Sequence, residues 1–160
     1  RNQLMSRMLS YIFLALLLLG AGWRVSAESP YAIYKSESSF DDVMQALKMA
    51  IEEKGMYINN IMHMGEMLER TGKDLGAEKK IYDKAESIEF CSALFSRKMT
   101  EENPARIVNC PYIISVYTLP EQPDATYVVH RRLDTGDESP VMKDVAAMLE
   151  SLGQAAAEGF

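Results

Sequence analysis

The stretch Pro111-Tyr-Ile-Ile-Ser-Val-Tyr-Thr-Leu119, followed by Pro120-Glu-Gln-Pro-Asp124 and Thr126-Tyr-Val-Val-His-Arg131, decides how this chain folds. Its first part is rich in Ile, Val and Tyr, whose branched or aromatic side chains suit a pleated surface. Two prolines, with an acid at either side, then break the strand and turn it. Residues 126–131 return as the second arm of a hairpin. A hairpin alone is marginal in water, so further strands must flank it.

Those strands lie upstream. Ser87-Ile-Glu-Phe-Cys91 is one, separated from the hairpin by a helix over Leu94 to Met99 and a turn at Glu101-Glu-Asn-Pro104. Tyr31-Ala-Ile-Tyr-Lys35 alternates and is another, and Met56 to Met62 a third. Between these two, Ser39 with Asp42 three residues on signals a helix start. Phe40, Val43, Met44, Leu47, Ala50 and Ile51 then recur at helical spacing until Gly55 stops the helix. Gly65 to Arg70 reads as a short helix closed by Gly72, and the polar stretch 73–84 is ambiguous. Downstream, Ser139-Pro140 opens a last helix with the apolar face Val141, Met142, Val145, Met148, Leu149 and Leu152.

This order implies an α+β fold, a split β-α-β-like two-layer sandwich. Its sheet is mostly antiparallel, with helices packed on one face and a wetter face opposite. If a helical crossover joins strand 87–91 to strand 111–119, those two run parallel.

Composition sets outer limits. The 160 residues are 48% hydrophobic and 25% charged, which suits one ordinary domain and excludes a disordered or disulfide-dense chain. The first 27 residues hold Arg1, Arg7 and Arg24 and no acid. Leu9 to Gly22 is almost wholly apolar, and Val25-Ser26-Ala27 supplies the small residues of a cleavage site. Residues 1–27 therefore read as a signal peptide, with 28–160 as a single domain in a periplasmic or secreted setting. The alternative is an uncleaved inner-membrane anchor over 9–23. Without residues 1–27 the chain has 14 basic and 23 acidic residues. A body of that charge is repelled by phosphate backbones, so nucleic acid is not an expected partner.

Phe90-Cys91-Ser92-Ala93 closes one strand and Cys110-Pro111-Tyr112 opens the next. With this order and spacing, the span from about Tyr31 to Arg132 resembles the domain of unknown function 302 (DUF302) family. The resemblance implies a compact α+β fold and brings no established activity. The family has a Phe-Gly-Asn-Pro-like turn where this chain has Phe-Cys-Ser-Ala, and a Leu-Pro-like start where it has Cys-Pro. Both departures place a cysteine, so any role for the thiols belongs to this chain's own branch.

No covalent haem motif, Cys-x-x-Cys pair, nucleophile elbow or phosphate-binding glycine loop is present in the sequence. Two features stand out. Met62-His63-Met64, with Met67 nearby, offers soft and borderline ligands suited to copper(I) or to haem iron. The plainer reading is that these methionines fill gaps in the core. The second feature is the pair Cys91 and Cys110, which an exporting compartment could oxidise. Parallel strands would put them at opposite ends of the sheet, too far apart to bridge. Counting strand directions on that basis puts His63, Met64, Cys110 and His130 at one end, as candidate metal ligands, and Cys91 at the other.

Glu66, Glu69, Arg70, Lys73 and Asp74 read as a solvated surface, and Arg131 and Arg132 as salt-bridge partners more than an anion site. Three functional readings follow. The first is a periplasmic binding or accessory domain, for copper, haem or another ligand, without catalysis. The second is a thiol-based redox or sulfur-chemistry module using Cys91 or Cys110. The third is an interaction domain that forms a homodimer through an edge strand such as 126–131.

Overall fold

The computed structural model describes residues 29–159 except 78, 134, 135 and 138. The expected signal segment 1–27 lies outside the described residues. Among these, no helix is long and apolar enough to cross a membrane.

Five strands form one sheet: β1 (Tyr31–Ser36), β2 (Tyr57–Met62), β3 (Lys84–Cys91), β4 (Tyr112–Leu119) and β5 (Gln122–Arg131). Their spatial order is β1-β5-β4-β3-β2, and every neighbouring pair is antiparallel. The helices are α1 (Phe40–Glu53), α2 (Met64–Asp74), α3 (Ala93–Glu102) and α4 (Pro140–Glu158), with a 3-10 turn at Pro104–Asn109.

Helix α1 begins where expected. The Ser39 hydroxyl accepts the backbone N–H of Asp42 at 3.2 Å and donates to its carboxylate at 2.7 Å. Gly55, at φ 70°, carries the chain out of the helix in a conformation that side chains resist. Helices α1 and α4 pack together and cover one face of the sheet, over Ile88, Phe90, Tyr112, Ile114, Val116 and Val128. The α4 face is the expected one: Val141, Met142, Val145, Met148, Leu149 and Leu152 are all buried.

The short helix α2 lies instead across the other face. Its Gly65 sits where a Cβ would come within 3.0 Å of the Ala85 backbone nitrogen. Ala85 pairs with Tyr117, on the side opposite Val116. That helix packs on the β3 side of this face, Tyr82 beyond it packs on Tyr117 of β4, and Tyr31, Ile33 and Ile113 stay exposed.

Two expectations are corrected here. Strands 87–91 and 111–119 are not parallel. The segment between them, α3 and the 3-10 turn, folds back on itself at one end of the sheet, so β4 returns beside β3 as an antiparallel neighbour. Residues 126–131 are not an edge strand either, because β5 is held between β1 and β4. The edges are β1 and β2.

Candidate binding site

The reversed β4 changes which residues meet. Phe90 pairs with Tyr112, so Cys91 and Cys110 fall at the same end of neighbouring strands. Both are nevertheless free thiols. Asn59 donates its amide to Cys91 Sγ at 3.1 Å, whereas Cys110 Sγ donates to Ser96 Oγ at 3.1 Å. Asn59 belongs to β2 and Ser96 to α3, so the two sulfurs are drawn to different neighbours. Tyr112, paired with Phe90 at this end of β4, is buried near both. Burial pushes its hydroxyl up to about 12, the Ser96 hydrogen bond opposes this, and the two thiols add to it.

His63 and Met64 are at the other end of β2, away from Cys110. The row Ile61–Ile88–Ile114–His130 runs across β2, β3, β4 and β5. His130 is therefore three strand spacings, about 14 Å, across the sheet from β2. Metal–ligand bonds of about 2.0–2.3 Å cannot bridge that span. The structure does not bring His63, Met64, Cys110 and His130 together. Among the described residues no group of three or more His, Cys, Asp or Glu side chains is placed to hold a metal ion.

Each imidazole has its own partner. His63 Nδ1 meets Glu86 Oε1 at 3.0 Å in an exposed pair. His130 is buried, with Nδ1 2.8 Å from the Arg131 carbonyl and Nε2 3.2 Å from the Tyr34 hydroxyl. A carbonyl only accepts, so Nδ1 carries the proton, and in the neutral ring Nε2 accepts from Tyr34. Burial lowers the His130 pKa below its ordinary value, and nearby Arg132 adds to this, against the carbonyl bond and Glu150.

The sign of the resulting pH dependence follows directly. The unfolded chain binds this proton more tightly than the folded one, so stability is full above pH 6.5 and falls as pH drops through that value. Denaturant melts between about pH 7 and pH 5 should show this loss, and His130→Gln should flatten the slope. An unchanged slope in the variant would assign it to other groups.

A cleft opens at this end of the sheet. It has a volume of about 410 Å³. Ile113 and Val129 form its floor, Tyr31 one side, and Val108 and Leu133 the outer wall, with Asn109, Ser115, His130 and Arg131 as polar groups. The wall is fixed by an ionic clasp. Arg106, in the 3-10 turn, donates to Glu102 at 2.7 Å and to both carboxylate oxygens of Asp137 at 3.1 Å. Ser139 adds a 2.7 Å bond to Glu102, whose carboxyl is held below its usual range by Ser139 first and Arg106 second. The clasp ties the turn carrying Val108 and Asn109 to the start of α4. Sequence reading missed this cleft, since Val108 and Asn109 lie between the turn read at 101–104 and the strand read from 111, where no element was expected.

Such a structure defines a class: an α+β domain with an all-antiparallel sheet, two long helices on one face and an apolar cleft at one end. The domain of unknown function family DUF302 matches residues 32–158, and the chain belongs to it. The crystal structure of an uncharacterized conserved DUF302 protein from Bacillus stearothermophilus has a similar fold. It superposes with a TM-score of 0.66 at 12% identity, covering 81% of this chain and 99% of that one. No curated protein sequence matches this chain.

Proposed function

We propose that this chain is an exported binding domain, without catalysis, that takes a small and mostly apolar molecule in the cleft between β1, β5, β4 and the 3-10 turn. The observation that carries this reading is the cleft itself. Its volume of about 410 Å³ lies in the range of small-molecule sites, and apolar side chains dominate its walls. The one imidazole lining it already has both nitrogens in hydrogen bonds, which leaves no free base aimed at a ligand. The export part of the reading rests on the pattern of residues 9–27.

N-Phenyl-1-naphthylamine, a neutral apolar fluorophore, is a suitable probe. Its emission should rise and shift to the blue on titration with the full chain. Val108 is exposed on the wall, so Val108→Asp should leave the thermal melt unchanged and weaken probe binding at least tenfold, by about 1.4 kcal/mol. Saturable binding that ignores Val108→Asp, or no binding at all, would overturn the reading.

A further inference from the structure

Resting on the binding reading above, we propose that the molecule held in the cleft is a small apolar carboxylate. Its head group pairs with the Arg131 guanidinium at the mouth, and its tail lies over Ile113 and Val129.

Arg131 and Val129 are two residues apart in β5, so they share a face of the sheet. Val129 belongs to the cleft floor on that face, and Tyr31 of β1 is the cross-strand partner of Arg131. On the other side, Ile113 lies one step from the Ile114–His130 pair and so stands beside Arg131. Arg131 is exposed, and it is the one fixed cation among the described lining residues, which include no acid. The sequence suggests a salt bridge for it, yet its guanidinium has no ion pair among the described residues.

The other polar groups of the cleft are partly engaged already. Ser115 shares a 2.7 Å hydrogen bond with Ser87, and both His130 nitrogens have partners. Among the described residues, the Tyr31 hydroxyl and the Asn109 side-chain amide make no hydrogen bond. The cleft therefore offers a ligand mainly donors and one positive charge. A carboxylate is their complement, because it only accepts and its two oxygens match the planar guanidinium fork. One guanidinium also matches one negative charge. A phosphate monoester carries more than that at neutral pH and would call for a second cation.

Desolvation sets the head at the mouth. A fully buried ion pair loses much of its gain to lost hydration, whereas an exposed guanidinium and its partner stay partly hydrated. The tail is what leaves water, against apolar surface that is otherwise open: Ile113 is 44% and Val108 82% exposed. Glu89 stands beyond Ile113 on β3, two strand spacings or about 10 Å from Arg131. It repels a carboxylate and so holds the head to the β1 side. The chain as a whole carries a formal net charge of −6, and its long-range field favours cations. A preference for an anion therefore has to arise within the cleft.

Octanoate, octanol and octylammonium share a tail and differ in the head, and displacement of N-phenyl-1-naphthylamine from the full chain compares them. At neutral pH octanoate should displace the probe at about one tenth of the octanol concentration, and octylammonium should do no better than octanol. Arg131→Gln should bring octanoate to the level of octanol, with octanol on the same variant controlling for any change in the cleft. Arg131→Lys should keep only part of the preference, because an ammonium lacks the fork. Probe binding with three equivalent octyl compounds would overturn the carboxylate and leave the binding reading standing. A preference that survives Arg131→Gln would overturn it too, as one carried by Arg1, Arg7 and Arg24 would. If neither the probe nor octanoate binds, both readings fail.

Discussion

Replacing Leu149 with Ala is expected to destabilise the domain by about 2–5 kcal/mol. Leu149 is 2% exposed, on the α4 face that packs against α1 and the sheet, in one continuous core with Leu152, Ile114 and Val128. The loss has two parts, the transfer of buried methyl and methylene groups and the cavity left behind. The second part decides where in the range the value falls. Leu149 also borders the cleft, so its neighbours have an open side into which they can relax. That argues for the lower half of the range. A urea melt measures it, and an unchanged slope with a lower midpoint would show that only stability has moved. A loss near zero would mean that α4 contributes little to the core. Against a total of about 5–15 kcal/mol for a native domain, the expected value is a substantial fraction.

That α4 face was legible in the sequence because helical spacing repeats over three turns and Ser139-Pro140 marks its start. The helix α1 was legible for the same reason, and each of the five strands lies near where composition and alternation put it, but β5 starts at Gln122, inside the expected turn 120–124, and β3 at Lys84, three residues before the expected start. Strand direction was not. A helix between two strands is compatible with a crossover or with a return at one end, and local spacing does not distinguish them. Here the helix is ten residues long and is followed at once by the 3-10 turn, so the chain doubles back. That single reversal moved Cys91 to the same end as Cys110 and took His63 away from it. The candidate metal set depended on the direction of β4, which explains why its members do not meet. One signal was available in β4 itself. Tyr112-Ile-Ile-Ser-Val-Tyr-Thr-Leu119 is apolar almost throughout and not in strict alternation. Continuous apolar strands have both faces covered. In β4 one face lies under α1 and α4, and the other carries Ile113 and Ser115 in the cleft and Tyr117 against Tyr82.

Gly153→Val should cost about 3 kcal/mol and should do so through a residue far away in sequence. Gly153 is buried in the middle of α4, where glycine ordinarily costs about 1 kcal/mol relative to alanine. Its presence there has a steric cause. The Tyr34 ring of β1 lies against this position, so that a Cβ would press on Cε2 and come within 2.8 Å of Cδ2. Tyr34 has little freedom to move aside, because its hydroxyl meets His130 Nε2 at 3.2 Å and its ring stacks on the imidazole, 5.8 Å between centroids. A side chain at 153 must therefore push α4 off β1 or swing Tyr34 away from His130. Alanine tests the first contact and valine adds a branch that the helix also disfavours. If the ring swings, His130 loses its Nε2 partner. The pH-dependent loss of stability below 6.5 should then change in the glycine variant as well as in His130→Gln. Tyr34→Ala removes the obstacle, so the double variant should lose less than the sum of the two single changes. Strict additivity of the two losses would show that the ring and the glycine are independent, and would sink this account of why α4 carries a glycine at its centre.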